Sequence, residues 1–404
     1  MKIAILGYGV VGSGVAEVLH VNRTQITKRT KQEIEVKYIL DTRQFPGDPL
    51  EGLMVSDFGV IEGDSEVKLV VEAIGGDTIA YEFVKRAIMA GKSVCTPNKA
   101  LVAAHGPELI ALAREKGVCF LFEASVGGGI PLIRPFADAM VAVDEVQSIA
   151  GILNGTSNYI LTQMSTNGKS YAEALKRAQE LGYAEQDPTA DVSSQDACRK
   201  LSIMLSLVTG KQADYQKIKT EGIEKISAQD FAFANALGFT LKQVVSGKIC
   251  GSSGVEAIAA PFLVPLSHPL ATVNDVYNGF WATGKTTGNI MFYGSGAGKL
   301  PTASAVVSNI ADAVCFADSL SYTWTSEEVN ILPWENYSYR KMIRVSYEDK
   351  SVLEGVDGVV TIGQYPNCAA WVVPAETEAE TVERVARIGE MAGVRVLQVL
   401  RVYE

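Results

Sequence analysis

The chain is poor in the residues that build metal and disulfide scaffolds. Its histidines, His20, His105 and His268, lie far apart, and its cysteines, Cys95, Cys119, Cys198, Cys250, Cys315 and Cys368, contain no C-x-x-C pair. Zinc sites draw part of their ligands from short-spaced pairs, so this spacing argues against one, and scattered cysteines read as reduced thiols. Basic residues are also in deficit: 36 Lys and Arg against 46 Asp and Glu leave a formal net charge of −10. A nucleic-acid surface needs clustered positive charge, so no nucleic acid is expected, and an anionic ligand must be held by local groups instead. Long apolar runs are missing too; none reaches the ~18 residues of a membrane span. The first strand signal begins at residue 2, where a signal peptide would have to lie. These absences together predict a cytoplasmic protein that acts on small molecules, with no membrane partner.

What is present is enough chain for two or three domains: 404 residues, 47% hydrophobic and 20% charged. Lys2 to Leu6 reads as a short buried strand, followed at once by Gly7-Tyr-Gly9-Val10-Val11-Gly12 and a helix reaching Leu19. In that order Gly7 makes a tight turn, Gly9 lets backbone approach a pyrophosphate, and Gly12 allows helix to pack on strand. The phosphates then meet the free N–H groups of Ser13 and its neighbours, with Val10 and Val11 also placed at the cofactor. A second strand, Ile34 to Leu40, ends in Asp41-Thr-Arg43. An acid here takes the ribose 2′-OH of NAD, and an arginine takes the 2′-phosphate of NADP. Both are present, so the choice between NADP and NAD stays open.

Strand signals at Val67 to Ile74, Ser93 to Cys95 and Val118 to Glu123 alternate with helix signals at Ile79 to Ala90 and Pro107 to Lys116. Such alternation predicts an α/β domain with a doubly wound parallel sheet. Ligands bind beyond the carboxyl ends of such strands, where Thr96-Pro-Asn-Lys99 and the glycine-rich Glu123 to Ile130 fall.

Beyond residue 130 the spacing predicts a helix over Pro131 to Met140, a strand over Val146 to Leu153, and a helix over Tyr159 to Ser165. Thr156, Ser157 and Asn158 would cap that last helix, and the same free N–H groups can hold a carboxylate. From Asp191 onward Ala197, Leu201, Met204, Leu205 and Val208 recur at helical spacing. Asp196 and Lys200, four apart, share a face at the edge of that buried sector. Cys95 and Cys198 read as small core residues. A thiolate role for either would instead make the chain an acylating aldehyde dehydrogenase, and a third reading is a catalytically silent nucleotide or amino-acid sensor. At the end of the chain, strands are expected over Lys341 to Tyr347, Gly358 to Ile362, Ala369 to Val373 and Val394 to Val402, with a helix over Glu376 to Met391.

Read in sequence, Gly7 to Gly12, Thr96 to Lys99, Glu123 to Pro131, Gly151-Ile-Leu-Asn-Gly-Thr-Ser-Asn-Tyr159, Gly182-Tyr-Ala-Glu-Gln-Asp-Pro188 and Asp191 to Lys200 resemble the homoserine dehydrogenases. The resemblance covers at least residues 1 to 320. It implies a Rossmann-type NAD(P)-binding domain over 1–125, completed by a returning segment near 296–320 whose glycine turn at Gly298 reaches the cofactor. It further implies an α+β catalytic and dimerisation domain over 126–295 and an ACT-like, ferredoxin-type module over 335–404, in a homodimer. In that module Asp349 to Asp357 is too short for the usual first helix.

The implied reaction is the reversible NAD(P)H reduction of L-aspartate 4-semialdehyde to L-homoserine, within threonine, methionine and isoleucine synthesis. By the same resemblance Lys99 and Lys200 flank the reacting oxygen, Lys99 also bordering the cofactor. Asp196 positions the substrate hydroxyl and Lys200, Glu185 binds the amino group, Gly155, Thr156 and Tyr183 line the pocket, and Asp191 is a further contact. Glu123, Val126, Gly128 and Ile130 would supply oxygen ligands to a monovalent cation, sodium.

Overall fold

In the computed structural model, which describes residues 1–316 and 322–404, the first six strands are β1 (Lys2–Leu6), β2 (Glu35–Leu40), β3 (Met54–Val55), β4 (Val67–Glu72), β5 (Ser93–Cys95) and β6 (Phe120–Leu121). They form one parallel sheet in the order β3-β2-β1-β4-β5-β6, a Rossmann-like sheet whose direction of winding reverses between β1 and β4. Ile3 to Leu6 and Leu69 to Val71 are fully buried, because helices cover both faces of a parallel sheet. The crevice beyond the carboxyl ends of β1 and β4 is therefore the natural place for a dinucleotide.

The remaining strands are β7 (Val146–Ile152), β8 (Lys219–Thr220), β9 (Phe239–Ile249), β10 (Val255–Pro265), β11 (Tyr277–Gly284), β12 (Gly288–Ser295), β13 (Ser338–Tyr347), β14 (Val360–Thr361), β15 (Cys368–Thr377) and β16 (Val394–Val402). They make a mixed sheet in the order β12-β11-β7-β9-β10-β16-β13-β15-β14, with β8 beside β10. β10 and β16 pair in parallel through Phe262 with Arg401 and Leu263 with Val402, so the C-terminal strands extend the central sheet. Within the C-terminal unit one 3-10 turn, Lys350–Leu353, follows β13, and a full helix, Glu378–Gly389, follows β15. That helix opens on a capping box made by Thr377 and Glu380.

The helix Lys299–Phe316 returns to the first domain and lies against the helix Val10–Val21. Gly14 makes this approach possible, since a Cβ there would lie 3.0 Å from Lys299 Cγ. Residues 317–320 of the expected returning segment lie outside the described residues.

Several element bounds differ from the sequence reading, each for a local reason. The helix expected from Pro107 starts at Lys99, because Asn98 Oδ1 caps it by accepting the Leu101 N–H at 3.1 Å. Pro107 then sits inside the helix without an N–H to give; the carbonyl of Ala103, four residues earlier, takes Gln212 Nε2 at 2.8 Å instead. The helix expected from Tyr159 starts at Gly155, with Asn154 as its cap through the Ser157 N–H at 2.8 Å, so Thr156, Ser157 and Asn158 lie in its first turn. The run from Asp191 is two helices, Thr189–Val192 and Gln195–Thr209, separated at Ser194 with φ 73°. The helix from Pro131 is a single turn, Ile133–Phe136, continued by a π turn, Ala137–Val141.

Candidate active site

The ends of β4 and β5, the turn after β7 and the start of the helix Gln195–Thr209 converge on a cleft of about 730 Å³. At its centre is Asp196, whose side chain is 7% exposed. Lys99 Nζ lies 2.6 Å from Oδ1, and Lys200 Nζ lies 2.9 Å from Oδ2. Burial pushes the Asp196 carboxyl up, but the ammonium groups of Lys200 and Lys99 outweigh it and hold the group well below the usual carboxylate range. Burial likewise pulls Lys99 down, and Asp196 more than restores it, leaving Lys99 above its ordinary value. Carboxylate and ammonium are therefore both charged at neutral pH.

Asn154 completes the cluster. Its Nδ2 donates to Asp191 at 2.7 Å and to Asp196 at 2.9 Å, while its Oδ1 caps the helix Gly155–Asn167. Lys200 Nζ also donates to the carbonyl of Leu153 at 2.6 Å, so the turn after β7 holds both partners. Burial raises Asp191, which faces Asp196 across that amide. The Asn-Gly pair signalled a turn in the sequence, yet nothing in the spacing marked Asn154 as the link between two acids.

The other expected pocket residues divide. Thr156 Oγ1 donates to the carbonyl of Tyr183 at 2.6 Å, and Thr156, Tyr183, Gly155 and Asp191 all line the cleft. Gly155 has no room for a side chain, since a Cβ would lie 2.9 Å from the Val276 carbonyl oxygen. Glu185 is not brought to the wall; it is exposed, and its main-chain carbonyl accepts from Gln179 Nε2 at 3.1 Å.

On the nucleotide side, Gly7 has φ +90°, and Gly12 is forced, because a Cβ there would lie 1.9 Å from the Gly7 oxygen. The Ser13 N–H, expected to be free, is spent on the carbonyl of Gly9 as the first bond of the following helix; the N–H groups of Val10, Val11 and Gly12 are the ones without a partner among the described residues. Val11 and Gly298 line the cleft. Asp41 accepts the Tyr8 N–H at 2.7 Å and the fork of Arg43, Nε at 2.9 Å and Nη2 at 2.8 Å. Arg43 holds Asp41 well below its ordinary range, so the acid and the arginine read separately in the sequence form one ion pair. Glu72 was not singled out in the sequence. It is fully buried at the end of β4 and accepts the N–H groups of Ile74 at 2.7 Å and Gly75 at 3.1 Å, together with Thr96 Oγ1 at 2.5 Å. It thereby shapes the glycine turn over the cleft.

The Glu123 loop departs from a simple carboxylate site. Both oxygens of Glu123 are engaged by main-chain N–H groups, Leu132 at 2.6 Å and Ile133 at 2.7 Å on one and Arg134 at 2.9 Å on the other. In contrast, the main-chain carbonyls of Val126, Gly128 and Ile130 accept no hydrogen bond among the described residues, whereas Gly127 between them accepts the Ile130 N–H and Glu123 opens the 3-10 turn Glu123–Ser125. Main-chain oxygens left free in this way can serve as ligands to a hard cation. No group of three or more His, Cys, Asp or Glu side chains suited to a metal occurs among the described residues.

Cys95 and Cys198 give no support to thiolate chemistry. Both are buried, and burial pushes the Cys198 thiol up to about 12. Among the described residues no helix is long and apolar enough to cross a membrane.

Comparison with known proteins gives a single answer. The sequence model described as homoserine dehydrogenase matches residues 131–311, and that described as the homoserine dehydrogenase NAD binding domain matches residues 7–123. A homoserine dehydrogenase of Pseudomonas aeruginosa is 42% identical over 315 residues, which are 78% of this chain and 72% of that one. The crystal structure of a homoserine dehydrogenase from Thiobacillus denitrificans superposes with a TM-score of 0.90 at 31% identity, covering 100% of this chain and 98% of that one. A hyperthermophilic archaeal homoserine dehydrogenase in complex with NADPH shares the fold at 24% identity and a TM-score of 0.64, over 77% of this chain and 97% of that one.

Proposed function

The chain belongs to the homoserine dehydrogenase family, and on that premise we propose how its residues divide the reaction. The activity is an NAD(P)-dependent oxidoreduction that interconverts L-homoserine and L-aspartate 4-semialdehyde. When bound, the nicotinamide cofactor supplies or accepts the hydride. Hydride arrival at the aldehyde carbon builds negative charge on its oxygen, and an ammonium group beside that oxygen stabilises it and can hand over a proton.

Lys99 and Lys200 are the groups for this work. The observation that carries the reading is the shared Asp196 carboxylate, which holds both ammonium groups on one wall of the cleft. Asp196 holds the two in place and keeps Lys99 charged, Lys200 delivers the proton, and Lys99 faces both the reacting oxygen and the cofactor. Thr156, Tyr183 and the start of the helix at Gly155 form the substrate pocket, with Asp191 behind them. Glu185 takes the substrate amino group only if its turn closes over the cleft. Gly7, Gly9, Val10, Val11, Gly12 and Gly298 receive the dinucleotide, with Asp41 and Arg43 at its adenosine ribose. A sodium ion would be held by the main-chain carbonyls of Glu123, Val126, Gly128 and Ile130, with the Glu123 carboxylate acting as a strut for the loop.

The domain division at 1–125, 126–295 and 335–404, an ACT-like character for the last of these, a homodimer and a cytoplasmic role in threonine, methionine and isoleucine synthesis complete the proposal. The deciding experiment is steady-state oxidation of homoserine by the Lys200→Ala variant with NAD and with NADP. Normal turnover in that variant would overturn this assignment of the site.

A further inference from the structure

The helix that carries Asp196 and Lys200 begins at an awkward residue. Ser194 is wholly buried and left-handed, with φ 73°, a conformation that a side chain disfavours and that its surroundings must impose. Its Oγ donates to the main-chain carbonyl of Glu221 at 2.7 Å and accepts from Gln243 Nε2, which also donates to that carbonyl at 3.1 Å. Two residues further on, the Ile223 N–H donates to the carbonyl of Val192 at 3.0 Å. The segment Glu221 to Ile223 thus grips both sides of the break between the helices Thr189–Val192 and Gln195–Thr209.

Glu221 is itself anchored from the other direction. Its N–H donates to Ala259 in β10 at 2.8 Å, and its carboxylate is held by both terminal nitrogens of Arg401, at 2.7 and 2.9 Å. Arg401 lies in β16 at the point where that strand joins β10, and its remaining contacts go to Glu378 at 2.8 and 3.1 Å. One bidentate ion pair therefore stands between the last strand of the chain and the turn that aims the catalytic helix.

We propose that Glu221 is a positioning residue for the Asp196 and Lys200 helix, and that Arg401, by fixing Glu221, makes the last strand of the chain part of the active-site scaffold. This rests on the assignment of Asp196 and Lys200 above. Movement or loss of β16 releases Glu221, then Ser194, and so shifts a carboxylate two residues away that must hold two ammonium groups in register.

The test uses the full chain. Arg401→Met is expected to lower kcat by roughly 10-fold to 100-fold, the cost of a displaced catalytic group. Cofactor KM should stay within about twofold, measured where the variant is fully folded, because the nucleotide crevice is built elsewhere. Ser194→Ala should lower kcat to a similar extent, and the double variant should fall no further than the weaker single one. Arg384→Met, which removes the pair with Glu376 inside the C-terminal unit, is the control and should lower the melting temperature without changing kcat. Should Arg401→Met fail to fold, Glu221→Gln, which keeps the shape but loses the charge, carries the same readout. A variant at Arg401 or Glu221 that melts early with unchanged kcat overturns the proposal, as does a double variant whose losses multiply. If Lys200→Ala also turns over normally, it is the site assignment that has failed; if Lys200→Ala is inactive, the failure is confined to the coupling.

Discussion

Two buried charge clusters bear on the start of the helix Gln195–Thr209, and they are built on opposite principles. Around Arg401, two carboxylates close on one guanidinium through four hydrogen bonds, with Lys341 beside Glu378 at 3.5 Å. Every group there is spent on another. Around Asp196 the ratio is reversed: one carboxylate serves two ammonium groups, and Lys99 keeps 39% of its side chain exposed to the cleft. An ammonium with three donors and one partner is poised to take another oxygen. The first cluster can hold a fold and do little else; the second can meet a substrate whose oxygen is becoming negative. Incomplete satisfaction, more than burial or pKa, separates a reactive charge cluster from a structural one.

The comparison breaks most sharply at Lys200. Replacing it with alanine should lower kcat by roughly 10²-fold or more while leaving cofactor affinity nearly unchanged, since its charge acts on an oxygen that turns negative during hydride transfer. Lys200→Arg should rescue poorly, because a guanidinium keeps the charge but does not give up a proton. An alanine variant with normal turnover and a lower melting temperature would make the Asp196 cluster purely structural, its charges spent on holding the fold.

A smaller loss is expected at the shared counterion. Asp196→Asn should lower kcat by about tenfold or more, the scale of one lost electrostatic contact. It should also move the alkaline limb of the kcat/KM profile to lower pH, because Asp196 is what holds Lys99 above its ordinary value. The acid side follows from linkage. The native Asp196 carboxyl lies below its unfolded value, so its contribution to stability is present above pH ~4 and is lost as pH falls through the native value. The asparagine variant should lack that component of acid unfolding, and an unchanged alkaline limb would detach Lys99 from the chemistry.

How far the sequence carried this picture depends on the range of the interaction. The dinucleotide fold was legible because its signals are local: a strand, three glycines at fixed offsets and a helix. The Asp196 and Lys200 pair was legible because helical spacing alone puts them on one face at a core edge. Asn154, Glu72 and Arg401 were not, because these side-chain partners lie 24 or more residues away and meet only once the chain has folded: Asn154 with Asp191 and Asp196, Glu72 with Thr96, Arg401 with Glu221. Helix starts were misjudged wherever asparagine was the cap, at Asn98 and Asn154, because Pro107 and the Thr-Ser-Asn run looked like stronger punctuation. The resemblance named Glu123 as an ionic ligand; the fold spends its carboxylate on the turn Ile133–Phe136, whose N–H groups no sequence pattern assigns to it.

That reassignment supplies a third break. Glu123→Ala strands buried N–H groups of Leu132 and Ile133, at a cost on the order of 1–3 kcal/mol for each group left unpaired. Its melting temperature should therefore fall by the same amount in sodium and in a large organic cation. If the fall is confined to sodium-containing buffer, the carboxylate itself is the cation's ligand and the strut reading is wrong.

The least costly change is at Arg43, whose pair with Asp41 lies between the two clusters in character: bidentate like Arg401, yet with 59% of the arginine side chain exposed. Arg43 lies 5.1 Å over the ring of Phe45, which leaves the rest of its guanidinium to solvent. A 2′-phosphate can compete for that fork with its two negative charges, whereas a 2′-hydroxyl must find an acceptor on Asp41 oxygens already engaged by Arg43 and Tyr8. Arg43→Ala removes the phosphate's partner and frees Asp41 at the same stroke. Binding of NADP(H) should weaken about tenfold, the scale of one charged hydrogen bond, while that of NAD(H) holds or improves. Titration of both cofactors against the parent and the variant measures this directly. Equal losses would mean that Arg43 orders the loop as Arg401 orders the last strand, and that the ribose is read by other groups.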